Sequence, residues 1–230
     1  MLRGLITAMI AGAGAPGCGL IDIEVADLDL SMPERSFTID TAQWELTGDS
    51  TFPSIDCANQ PQICSAAVVQ VCGGALCFGS CGGASCEALL ALQLWSTVDL
   101  FGEKPELQAI GERTLATVEI DRVYYEVAEN TLNIDTPELT VYVAPSTVMS
   151  PGDPSAEAVG TIAPMIAGET VAETDMLFVA TGETTLNEVL KAFQTPFNLL
   201  VGAQLTVHGG DPVPTGRAIA TVNVRAHASL

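Results

Sequence analysis

Positive charge is what this chain has least of: 8 Lys and Arg stand against 28 Asp and Glu, a formal net charge of −20. So acidic a chain repels phosphate backbones and anionic headgroups, which excludes nucleic acid as a partner. It also leaves the protein surface itself no means of holding a membrane. Aromatic residues are 5% of the sequence, too few to pave a sugar-stacking cleft. Histidine occurs only as His208 and His227, and there is no H-E-x-x-H, P-loop or dinucleotide fingerprint. The nearest approach to a nucleophile elbow, Gly83-Ala84-Ser85-Cys86-Glu87, lacks the final glycine and lies between cysteines. The expectation is therefore a protein that is not an enzyme and needs no cofactor. A 48% hydrophobic content with 16% charge marks a folded chain rather than a disordered acidic one.

What is present begins at the start. Residues 1–17 read as an export signal: one basic residue (Arg3), an uncharged stretch from Gly4 to Ala15, then small residues. The apolar run of about 12 residues is too short for a membrane-spanning helix, which needs roughly 20. Ala15-Pro16-Gly17-Cys18 resembles a lipobox, departing from it at Ala15, where Leu is usual, and at Pro16. That resemblance implies cleavage before Cys18 and its acylation. The competing reading is an ordinary signal cut near Ala13 or Ala15, with Cys18 a spare thiol. Gly19, rather than an Asp, follows the cysteine, and by analogy with Gram-negative sorting this implies the outer membrane.

Seven cysteines less Cys18 leave an even six: Cys57, Cys64, Cys72, Cys77, Cys81 and Cys86. Six suffice for three disulfides in an oxidising compartment, though many pairings are possible and the sequence does not choose among them. A metal site on Cys72, Cys77, Cys81 and Cys86 fits poorly, since the spacing matches neither zinc knuckles nor ferredoxin clusters. A redox pair lacks its C-x-x-C. The expectation is three disulfides and no metal. From Cys57 to Cys86 there is not one charged residue. This Gly-rich segment, about 53–88, reads as an insertion whose Val68, Val69, Val71, Leu76 and Phe78 either pack onto the body or face another envelope protein.

The rest alternates. Ile21, Ile23 and Val25; Phe37 and Ile39, then Trp44 and Leu46; Leu92 through Leu100; Val118 and Ile120, then Val123, Tyr125 and Val127 all recur at period 2. So do Leu139, Val141 and Val143; Leu177 and Val179; Leu205 and Val207; and Ala218 through Ala226. Such runs, broken by Gly, Pro, Asn and Asp, predict an all-β, antiparallel, immunoglobulin-like β-sandwich over residues 18–230 as one domain. Residues 199–208 and 217–227 read as a closing hairpin around a turn-rich 209–216, which would put His208 and His227 roughly 35–40 Å apart. One helix is predicted, capped by Thr184 or Thr185 and ended by Pro196, with Leu186, Val189, Leu190 and Phe193 on its buried face. A short helical turn is predicted from Pro105 through Ile110.

Glu126, Glu129, Asp135 and Glu138, with Asn130 and Asn133 between them, offer a candidate calcium turn beside the plainer reading of a solvated acidic loop. The region from Val118 through Tyr125, Asn130-Thr131-Leu132-Asn133, Thr140-Val141-Tyr142-Val143 and the closing strands resembles uncharacterised lipoproteins of Gram-negative, deltaproteobacterial type. It is more distantly similar to LEA14-like sandwiches. The resemblance covers the C-terminal half, implies the fold, and supplies no catalytic residue. The sequence as a whole reads as an exported, lipid-anchored envelope protein acting as a binding or structural module. The alternative is a soluble periplasmic or secreted sandwich that binds a small ligand or Ca²⁺.

Overall fold

A computed structural model of the protein describes residues 27–47, 51–110, 115 and 117–229. The expected signal, Cys18 and the alternation of Ile21, Ile23 and Val25 lie outside the described residues. In chain order the strands are β1 (Asp27–Asp29), β2 (Arg35–Asp40), β3 (Cys77–Gly82), β4 (Ser85–Val98), β5 (Thr117–Asn130) and β6 (Leu139–Pro145). They continue as β7 (Glu157–Ile162), β8 (Val171–Asp175), β9 (Leu177–Phe178), β10 (Phe197–His208) and β11 (Arg217–Ser229). The helices are α1 (Ile63–Val69), α2 (Leu100–Glu103), α3 (Pro105–Ile110) and α4 (Gly182–Lys191).

Alternation becomes burial where the sequence predicts it. In β11 every second residue from Ala218 to Ala228 is buried, and β6 buries Leu139, Val141 and Val143. One sheet is built on β11, with β1 and β2 along one edge, β5 along the other and β8 outside β5. The other runs β3-β4-β10-β6-β7-β9. Their inner faces share one apolar core, including Ile39, Leu90, Val141 and Val222. The protein is an all-β antiparallel sandwich.

Strand β5 explains an irregularity in its own sequence. The apolar phase slips between Ile120 and Val123, and the ladder slips with it: Arg122 pairs with Arg225 while Ile120 pairs with Ala226, so Asp121 is an extra, bulged residue. A second slip leaves Ala128 unpaired between Val127 and Glu129. A bulge inserts one residue without flipping the rest of the strand to the wrong face. The core residues Val123, Tyr125 and Val127 thus remain inward despite their offset from Ile120.

The closing hairpin does not form. Both of its strands exist near their expected bounds, but β10 pairs with β4 and β6, whereas β11 pairs with β1, β2 and β5. β11 is flanked by β2 and β5 over the half that a hairpin would use, so it has no edge left for β10. The connection 209–216 instead crosses from sheet to sheet. It is pinned by Phe52, whose N–H donates to Asp211 O at 2.8 Å and whose carbonyl accepts from Gly210 at 2.8 Å. Asn133 holds its far side, donating to Val213 O at 3.0 Å and accepting from Thr215 N–H at 2.7 Å.

Three further expectations are revised. Trp44 lies on a 3₁₀ turn (Thr41–Trp44) rather than a strand; its indole is fully buried and donates to Ala91 O at 2.9 Å. Leu177 and Val179 are not core positions: Met176 is buried at the crossing between sheets, and Leu177 is 70% exposed. Helix α4 starts at Gly182, earlier than Thr184, and ends at Lys191, before Pro196 is reached. Its start is set by packing, since a side chain at Gly182 would strike the Val159 carbonyl of β7. Its end is set by the Ala192 N–H turning to the Glu188 and Val189 carbonyls. Leu186, Leu190 and Phe193 are buried as predicted, and the helix packs on β5 of one sheet and β7 of the other. It therefore spans the gap between the sheets. The expected turn at Pro105–Ile110 is present as α3.

The first strand is tied down by charge. The Lys104 ammonium donates to the Asp29 carbonyl at 3.1 Å and its carboxylate at 2.8 Å, and Arg35 grips both Glu103 oxygens at 2.5 and 2.6 Å. Partial burial works against the Asp29 carboxylate, but hydrogen bonds from Lys104 and Ser31 outweigh it and hold its pKa below the ordinary value. Glu103 is likewise depressed: desolvation opposes, and Arg35 and the Asp99 N–H prevail.

Candidate functional sites: a cystine staple and a groove beside the helix

The six downstream cysteines pair as Cys57–Cys81, Cys64–Cys86 and Cys72–Cys77. Each bond has a distinct structural task. Cys64–Cys86 joins α1 to β4, Cys57–Cys81 joins the turn before α1 to β3, and Cys72–Cys77 links the segment after α1 to the start of β3. Helix α1 lies so close over β3 that any side chain at Gly79 would strike the Cys64 carbonyl. The backbone joins in, with Cys86 N–H to Ile55 O at 2.8 Å and Cys57 N–H to Ala84 O at 2.9 Å.

The segment is thus less of a loop than its glycines suggest. It supplies β3 to the second sheet, and Ser85–Ala88 are already part of β4. Cys57, Cys64 and Cys86 form a small buried cluster of their own with Ile55, Ile63 and Cys81 around it. Its apolar residues divide. Val68 is 2% exposed and Val71 and Leu76 pack against the main core, whereas Val69 is 74% and Phe78 53% exposed. The segment is thus packed on one side and exposes two large apolar side chains on the other.

The metal-ligand readings change accordingly. The Sγ atoms of Cys57, Cys64 and Cys86 lie within 4.8 Å of one another because two disulfides are neighbours. Cys72 and Cys77 stand apart, bonded to each other beside the Trp44 carbonyl. Among the described residues, the acidic turn gathers no comparable set of carboxylates. Two of its four carboxylates are engaged separately, Glu129 with Arg217 at 2.6 Å and Asp135 with the Ala167 N–H at 2.8 Å, while Glu126 and Glu138 are exposed. Asn130 donates to Ile166 O at 2.8 Å and Glu169 O at 2.9 Å, tying down the following loop. These contacts give the turn a structural part in holding the following loop.

The histidines sit on different sheets, each beside its own carboxylates. His208 Nδ1 is 2.9 Å from Glu87 Oε1, and His227 Nδ1 is 3.0 Å from Asp121 Oδ1. Ser85 opens the second strand of the β3–β4 hairpin, after Gly83 at φ +67°, so the strand-turn-helix of a nucleophile elbow is absent there.

A site of another kind lies beside α4. A groove of about 390 Å³ runs between the helix and the β6–β7 hairpin. Thr185, Glu188, Val189 and Ala192 form one wall, at helical spacing and on a face distinct from the buried Leu186 and Leu190. Val143, Ala144 and Phe197, all nearly buried, supply apolar lining, and Glu157 of β7 stands opposite the helix. The Thr185 hydroxyl donates to Glu157 Oε2 at 3.4 Å across one end. Val189, expected on the core face, is half-buried: it packs against the core and also lines this groove. A hollow of about 840 Å³ lies between the 3₁₀ turn and the 209–216 connection. There Thr41 and Asn133 are committed to holding that connection in place.

No known protein-family model matches the chain, and no curated protein matches it.

Proposed function

We propose that the protein is exported, anchored by lipid on Cys18 at the outer membrane, and serves there as a binding or structural module of the cell envelope. The observation that carries this reading is the cystine staple: six cysteines engaged in three disulfides, with Cys18 as the odd one out. Disulfides persist in oxidising compartments and are rare where glutathione and thioredoxin keep thiols reduced. A seventh cysteine placed behind a signal-like stretch then has acylation as its natural use. The net charge of −20 supports a lipid as the means of attachment, since an acidic surface gains nothing from anionic headgroups.

The charge-free stretch with Val69 and Phe78 outermost is the surface proposed for contact with another envelope protein. Elsewhere an approaching acidic partner meets repulsion; here it meets apolar side chains on a cross-linked support.

Triton X-114 partitioning of the native protein tests the anchor. Wild type is expected in the detergent phase and Cys18→Ser in the aqueous phase, because multiple acyl chains hold a protein firmly where one does so marginally. Wild type found wholly in the aqueous phase contradicts the reading and favours a soluble periplasmic or secreted protein.

A further inference from the structure

We propose that the groove between α4 and the β6–β7 hairpin binds a small organic cation, a molecule with an apolar body and an ammonium group. This rests on the reading of the sandwich as a binding module, and not on its export or anchoring. The volume of about 390 Å³ falls within the range of small-molecule sites, and the lining combines apolar side chains with hydroxyls and two carboxylates.

Charge selects the occupant. Glu157 and Glu188 face the groove from opposite walls, and no Lys, Arg or His is among the residues that line it. Among the described cations, Arg35 is committed to Glu103, Lys104 to Asp29, Arg122 to Glu173 and Asp175, and Arg217 to Glu129, Arg225 lies over Tyr124, and Lys191, though on α4, does not line the groove. Among the described residues neither Glu157 nor Glu188 is in an ion pair, so their charge is left for a ligand. An anionic guest would be repelled by both walls and by the net charge of −20. An ammonium near both carboxylates, with its hydrocarbon against Val143, Val189 and Phe197, satisfies both parts of the lining.

Binding of octylammonium, octanoate and octanol to the purified full chain, at about 0.15 M salt to screen the diffuse field, tests this. Saturable binding of octylammonium is expected, with the resonances of Val189 and Ala192 shifting and octanoate bound at least about tenfold more weakly. The paired change Glu157→Gln with Glu188→Gln should weaken octylammonium about tenfold. Changing the exposed Glu126 and Glu138 to Gln should leave it unaltered, separating a built site from general acidity. Ala192→Trp, at an exposed position, should block binding with the fold intact by thermal melting. Octanoate bound as well as octylammonium would overturn the cationic assignment while leaving a binding groove. No saturable binding of any of the three, or binding indifferent to the two glutamates, would overturn the site.

Discussion

The two ends of the second sheet are ordered by different means. At the β3 edge the chain is charge-free, rich in glycine and held by three disulfides, two of them within a cluster of half a dozen side chains and the third against the main core. At the β7–β9 edge there is no cysteine; α4 spans the sheets and is held by Leu186, Leu190 and Phe193 in the main core. The first end substitutes covalent bonds for buried area, and the second uses buried area alone. The difference teaches where each end can carry function: cross-linking frees Val69 and Phe78 to stay exposed, while a helix seated on one face leaves its other face free to wall a groove.

The largest effect should come from the end that relies on burial. Leu190→Ala removes a side chain that is 0% exposed, and should cost about 2–5 kcal/mol by chemical denaturation. It should loosen α4 and the groove without disturbing the cystines. Next is Cys64→Ala with Cys86→Ala, which opens the link between α1 and β4 and should cost about 3 kcal/mol. Hydrogen exchange should then show α1 and β3 opening ahead of β10 and β11, whereas uniform acceleration would mean that the staple supports the entire sandwich.

These contrasts also show what could be read in advance. Strand alternation was legible because burial on one face enforces it, and even the phase slip at Ile120–Val123 was written in the sequence as a bulge. The pairing of strands was not legible: β10 and β11 look like a hairpin, and Thr41, Phe52 and Asn133, distant in sequence, hold the connection that crosses the sandwich. Strand β8 escaped notice because an acidic edge strand, exposed along most of its length, has no apolar face to alternate. The cysteines announced disulfides through their number and the absence of metal spacing, while their partners depended on how β3 and α1 fold together. The groove was invisible because its walls come from separate segments, although the Thr185, Glu188, Val189 and Ala192 stripe marked a second helix face.

Smaller effects sharpen the comparison further. Acid should act on the N-terminal strand rather than on either end of the second sheet. Asp29 and Glu103 have depressed pKa values, so their contribution is complete above the ordinary carboxylate range near about 4 and is lost as pH falls through it toward the lower folded values. Protection at β1 and the start of β2, taken relative to the intrinsic exchange rate at each pH, should fall there first; protection that stays constant as pH falls through the carboxylate range would contradict these pairs. The smallest effect is expected from Val69→Ser with Phe78→Ser, less than about 1 kcal/mol, because both side chains are exposed. The matched buried change Val68→Ser should cost several times more. A large loss from the exposed pair would mean that they pack rather than present a surface.

Intact mass of the native protein from its membranes, alkylated before and after reduction, tests the stapled and anchored envelope module most directly. The expected result is an N-terminus at Cys18 carrying acyl chains, no alkylation before reduction and six alkylated cysteines after it. An unacylated Cys18, two or more cysteines that alkylate without reduction, or a stoichiometric metal would contradict it.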